Sequence, residues 1–196
     1  DVYKRQVVNI SSPNTPGLRA LQDRDNLNRL ISTLQNRRAG LSNTHGRSIP
    51  LLIKISPDLD ERSRGHIASV ALAQNIDGLL VSNTTIMRPS HLKSGAQNEP
   101  GGLSGRPLFA KSTSLLADMY RRVQGSIPLI GIGGVSSGDD AYIKIRAGAS
   151  LVQLYTALVY KGPGLISQIK AELAARIVTD GFDNISSVVG VDATKY

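Results

Sequence analysis

Five short apolar runs punctuate the chain, at Val7–Ile10, Leu51–Ile55, Gly78–Val81, Leu129–Ile132 and Leu151–Tyr155. Between them apolar residues recur at helical spacing: Leu27, Leu30, Ile31 and Leu34, then Ile67, Val70, Ala71 and Ala73. The same holds for Leu115, Leu116 and Met119, and for Ala141, Ile143 and Ile145 before Gly148. Short strands alternating with helices read as consecutive βα units and a parallel sheet. Ile49-Pro50 and Ile127-Pro128 precede two of the strands, where the missing proline donor does little harm. From Pro163 a last helix is predicted on Leu165, Ile166, Ile169, Leu173 and Ile177, before the tail Asp180–Gly190. The longest loop signal is Arg88–Pro107, rich in Gly, Pro, Ser and Asn, and a loop of that length is usually functional.

The strand count alone fits a flat doubly wound sheet or a section of a barrel. The polar residues decide between them. Each run ends in a polar or glycine-rich signature: NISSPNTPG, KISPD, SNTT, GIGG and YT. Chemistry at the C-terminal end of every strand is what a (β/α)8 TIM barrel requires. A dinucleotide-binding sheet would instead place its signature in the first turn, and no GxGxxG occurs. The predicted fold is therefore an incomplete barrel of about five C-terminal βα units, with about three N-terminal strands missing. The hexapeptide Asp1–Gln6 crowds three charges where the first run should be apolar. It is expected to be a non-native scar (1–6) ahead of one barrel domain spanning 7–196.

Composition narrows the picture. With 40% hydrophobic residues, two Phe and no Trp, the core must be built from Ile, Leu, Val and Ala, as buried parallel strands prefer. The absence of cysteine excludes disulfides, thiolate metal sites and a cysteine nucleophile. No apolar run approaches the roughly 18 residues of a membrane span, so the chain is expected to be soluble. The net charge of +8 suggests an anionic partner, but the basic residues are scattered and the densest clusters, Arg37-Arg38 and Arg121-Arg122, are only pairs. Without interleaved aromatics, nucleic-acid binding is not expected.

Several residues carry candidate chemistry, each with a plainer alternative. Asn9–Gly17 packs amides and hydroxyls into a proline-bounded turn, which its own side chains would also stabilise. Lys54 places a charge in an apolar strand, so it should meet an anion or snorkel from the strand end. The Ser82-Asn83-Thr84-Thr85 run would equally start a capped helix, and Gly133-Gly134 alone is a turn. Paired with Tyr155-Thr156 after the next run, however, the glycines match the place where such barrels hold phosphate. His45, His66 and His91 share no metal-ligand spacing and read as surface residues.

The nine-residue string from Asn9 to Gly17 resembles the dihydroorotate dehydrogenases, and specifically the quinone-dependent class, where NxSSPNTPGL follows the fourth barrel strand. The resemblance extends from Val7 to about Asp192. It implies oxidation of dihydroorotate to orotate, with Ser12 as the base, where the soluble classes carry cysteine. Asn9 would touch flavin and substrate, Asn14, Asn83 and Thr84 the orotate ring, and Thr15 would orient the serine. FMN would be held by Asn9, Lys54, Ser82, Gly105, Gly134, Tyr155 and Thr156, with Lys54 at the pyrimidine edge. The family also implies a quinone acceptor reached through the missing N-terminal region, and a full-length enzyme peripheral on a membrane. Two alternatives stand beside this reading: a catalytically inactive barrel fragment, and another FMN-dependent pyrimidine oxidoreductase.

Overall fold

The computed structural model describes residues 4–196; Asp1–Tyr3, half of the hexapeptide, lie outside the described residues. Five strands form one parallel sheet: β1 (Gln6–Asn9), β2 (Leu51–Ile55), β3 (Gly78–Val81), β4 (Leu129–Ile132) and β5 (Ala149–Gln153). Between and after them run α1 (Arg24–His45), α2 (Glu61–Ala73), α3 (Phe109–Val123), α4 (Gly138–Arg146), α5 (Thr156–Lys161) and α6 (Gly164–Thr179). β1 begins one residue earlier than the apolar run, at Gln6, which pairs with Leu51. β5 begins two residues earlier, because Ala149 pairs with Leu129 and the register shifts before Ile130 meets Leu151.

Strand order is the strand sequence, β1-β2-β3-β4-β5. A doubly wound sheet reverses direction at a switch point, whereas a barrel wall runs in order. The burial pattern agrees. The alternate residues Ile53, Ile55, Leu79, Val81 and Leu129 join Leu27 and Ile31 of α1, Ile67 of α2 and Leu116 of α3 in the main core. On the opposite face Leu52, Leu80 and Ile130 cluster only with one another and Ile132. Helices therefore cover one face, and the other is lined by strand residues, as the inside of a barrel is. β2 and β3 are buried between neighbours, while β1 and β5 each have one partner strand.

Local chemistry fixes where the helices start and stop. Asp60 caps α2 by accepting from Ser63 N at 2.8 Å, and Ser137 caps α4 by accepting from Asp140 N at 3.1 Å. α1 ends at Gly46, whose left-handed backbone returns its N–H to Ser42 O. The tail closes back on α4: Gly190 N bonds Ile145 O, Asp192 N bonds Arg146 O, and Arg146 Nε pairs with Asp192 at 2.5 Å. Because all four strand pairings are parallel, the C-terminal ends of the five strands lie on one side.

Candidate active site

The C-terminal ends of the strands open on a cavity of about 360 Å³. Lys54 enters its wall from β2, Ser82, Asn83 and Thr84 from the end of β3, and Gly105 from the long loop. Gly134 follows β4, and Tyr155 with Thr156 follows β5, on the same wall. Asn9 is not on this wall but adjoins it through its hydrogen bond with Asn83, while Ser12 and Asn14 lie outside the wall and are tied to each other and to Gly102. Tyr155 is 79% exposed, so its ring stands outside the packed floor.

Lys54 lies in register between Asn9 of β1 and Leu80 of β3, on the strand-lined face with Leu52. Its side chain makes no hydrogen bond or ion pair among the described residues, so no protein group supplies the anionic partner that such a lysine calls for. Burial pulls the ammonium below the ordinary lysine range. A half-buried, unpaired cation on a cavity wall is a receptor for negative charge.

The turn after β1 is tied across the strand ends. Asn83 Nδ2 donates to Asn9 Oδ1 at 3.1 Å and to Ser11 Oγ at 3.0 Å. Ser11 Oγ lies 2.7 Å from Lys54 O and 3.1 Å from Asn9 Oδ1, with its single proton to give. The side chains after β1 and β3 are thus joined directly above the backbone of Lys54. Asn83 Oδ1 accepts from Thr84 N at 2.8 Å, so this amide is held at both ends. No helix follows this run; Thr85 instead pairs with Leu103 in an antiparallel bridge that closes the long loop. Ser12 is half-buried, and its Oγ accepts from Asn14 N at 3.2 Å. Asn14 Oδ1 in turn accepts from Gly102 N at 3.1 Å. A Cβ on Gly102 would fall 1.9 Å from Thr84 Oγ1, so only glycine lets the loop lie this close. Thr15 is exposed, and the structure does not join it to Ser12.

Three braces escaped sequence reasoning. Asp58 collects Arg19 Nη1 at 3.2 Å, Lys111 Nζ at 2.7 Å, Ile86 N at 3.0 Å and Thr85 Oγ1 at 2.5 Å. Burial raises its carboxyl, but the bonds from Lys111, Thr85 and Ile86 outweigh that and hold it below the usual carboxylate range. Arg88 grips the long loop through the carbonyls of Gln97, Glu99 and Gly101. Arg106 makes a forked bond to Asp140 at 2.7 and 2.8 Å, clamping the Gly105 segment to the start of α4. The aspartate in KISPD was visible as a charge at a strand end; Arg88 sits in the long loop and Arg106 opens a short 3-10 turn, neither with a local signal.

Gly134 has φ +76, and a Cβ there would meet Phe109 Cβ at 2.6 Å and Cα at 2.8 Å. Glycine is required here by the packing of the turn against the start of α3, beyond any need of a ligand.

The sequence profile describing dihydroorotate dehydrogenase matches residues 2–177. The chain belongs to the dihydroorotate dehydrogenase family. The quinone-dependent dihydroorotate dehydrogenase of Parvibaculum lavamentivorans is 55% identical over 185 residues, which cover 94% of this chain and 51% of that protein. The mitochondrial quinone-dependent protein of Oryza sativa subsp. japonica is 54% identical over 187 residues, covering 95% of this chain and 40% of that one. Dihydroorotate dehydrogenase from Eimeria tenella, crystallised with ferulenol, shares the fold at TM-score 0.92 and 41% identity. That match covers 96% of this chain and 54% of the Eimeria chain. The chain thus spans about half the length of the relatives it matches. As a dihydroorotate dehydrogenase relative it supplies five consecutive βα units of the family barrel.

Proposed function

We propose that the cavity is the flavin and orotate site of a quinone-dependent dihydroorotate dehydrogenase, which oxidises dihydroorotate to orotate in pyrimidine synthesis. The observation that carries this reading is the Asn9–Ser11–Asn83 network built directly over an unpaired lysine at the strand ends. Paired amides suit a ring of alternating carbonyl and N–H groups, and the lysine suits an electron acceptor that gains negative charge.

The residues present fit FMN. Lys54 lines the cavity without a protein partner, and the Gly133–Gly134 turn and the start of α5 border the same space. In this reading Lys54, Asn9 and Ser82 hold the ring system, while Gly105, Gly134, Tyr155 and Thr156 hold the phosphate end. When bound, FMN supplies the two-electron acceptor for the hydrogen that leaves C6 of the substrate. Asn9, Asn14, Asn83 and Thr84 orient the substrate ring, and Ser12 Oγ receives the C5 proton. A hydroxyl is a weak base at its ordinary pKa. The Asn14 N–H that Ser12 Oγ accepts stabilises the oxygen in its deprotonated form, which lowers the cost of using it. The ring loses one proton and one hydride, and the C5–C6 double bond forms.

A quinone is the natural final acceptor, as the relatives' names state for those proteins. We assign its access, and a peripheral membrane contact, to the additional length of those relatives. Among the described residues no helix is long and apolar enough to cross a membrane.

Ser12→Ala tests the assignment in the protein carrying the complete barrel. It is expected to abolish turnover at neutral pH while FMN still binds; undiminished turnover refutes it.

A further inference from the structure

The tripeptide Ile53-Lys54-Ile55 has a twin, Ile143-Lys144-Ile145, on α4. Lys144 is fully buried, and no carboxylate is bonded to its ammonium. Its Nζ lies 2.6 Å from Ser112 Oγ, 3.5 Å from Phe109 O and 4.9 Å from the centre of the Phe109 ring. Ser112 Oγ lies 3.2 Å from Gly133 O and 3.1 Å from Phe109 O, with one proton for two carbonyls. An ammonium that donates to Phe109 O and to Ser112 Oγ leaves that proton for Gly133 O.

We propose that Lys144 is a positioning residue for the Gly133–Gly134 turn, acting through Ser112, and that its positive charge is the buried counter-charge for a phosphate held at that turn. The phosphate part of this proposal rests on the flavin reading above.

The surroundings of Lys144 contain little else that is charged. Asp140, one turn earlier on α4, is already bonded to Arg106 and to Ser136 N and Oγ. Arg106 stands 5.4 Å from the Phe109 ring centre. On α3, Lys111 is engaged with Asp58. β4 and β5 carry no charged residue at all. On α6, Glu172 accepts from Gly138 N and Arg176 pairs with Asp139. Burial pulls the Lys144 ammonium down to about 7, against a smaller opposing pull from Asp140. A nearby dianion would raise it again, so phosphate binding and proton uptake are linked.

The test compares FMN with riboflavin, which lacks the phosphate, by fluorescence quenching between pH 7 and 9. Affinity for FMN is expected to fall about tenfold or more across that range as Lys144 loses its proton, while riboflavin affinity holds. Lys144→Met should weaken FMN by about tenfold at pH 7, spare riboflavin and flatten the FMN profile. Ser112→Ala should weaken FMN while keeping the pH dependence. If FMN and riboflavin respond alike in the wild-type protein, the proposal is overturned, even if Lys144→Met fails to fold. If neither flavin binds, the functional reading falls, and the proposal is judged with inorganic phosphate alone. NMR of ¹³C-labelled lysine then decides: a Lys144 midpoint near 7 that rises with phosphate supports it, and one that phosphate does not move overturns it.

Discussion

Asp58→Asn isolates the brace beneath the Asn83–Thr84 segment. The carboxylate is only 11% exposed and faces two cations, Arg19 at 26% and Lys111 at 28% exposure. Thr85 and Lys111 share Oδ1 while Ile86 N and Arg19 share Oδ2, so asparagine keeps an acceptor for only one of these pairs and turns an amide donor toward the other pair's cation. Hydrogen bonds to charged groups contribute about 1.5–3 kcal/mol each when well buried. Both cations can partly rehydrate, so roughly half of that is recovered, leaving a loss of about 2 kcal/mol. For a chain of this size such a loss corresponds to about 4–8 °C in Tm. Urea unfolding at pH 7, with the slope unchanged, measures it. The sign with pH follows from a folded-state pKa held below the unfolded value. The carboxylate's contribution is present above about pH 4 and is lost as pH falls through the folded value. Wild type and Asp58→Asn should therefore converge in acid. A difference below about 0.5 kcal/mol at pH 7, or one that does not shrink as pH falls below about 4, refutes the role given to Asp58.

Three further outcomes follow from the same geometry. Lys54→Met should retain FMN but lower its midpoint potential, because the cation proposed to face the reduced ring is gone; spectroelectrochemistry reads the shift, and an unchanged potential contradicts it. Gly134→Ala places a methyl 2.6 Å from Phe109 Cβ at φ +76, so it should cost about 1–3 kcal/mol in denaturant unfolding. Asp192 is held down to about 2 by Arg146 and Lys195, so the tail it pins should loosen as pH falls from about 4 to about 2. Proteolysis of the segment 181–196 across that range would show the loosening, and uniform resistance would argue against it.

Much of this was legible in the sequence because a barrel writes its chemistry at strand ends. The apolar runs located all five strands, and the signatures NISSPN, KISPD, SNTT and GIGG marked residues that the fold brings to one cavity or its margin. The count of runs could not choose between barrel and doubly wound sheet; the strand-end signatures chose the barrel, and the sequential order and one-sided helix cover agree. Ser11 was hidden beside Ser12, since adjacent serines look alike until one is buried and bonded across to Asn83. Lys144 was hidden for a different reason. In a strand, Ile-Lys-Ile puts the charge on the face opposite two apolar neighbours, and it stands out. On a helix the same tripeptide reads as an ordinary amphipathic turn, and only tertiary packing shows the ammonium to be buried.

The most direct test of the central claim is a crystal structure of the protein grown with FMN and orotate. The account predicts the isoalloxazine pyrimidine edge at Lys54 Nζ, the phosphate at Gly134 and Thr156, and orotate between the amides of Asn14 and Asn83. Flavin bound away from Lys54, or orotate making no contact with Asn83, would contradict it.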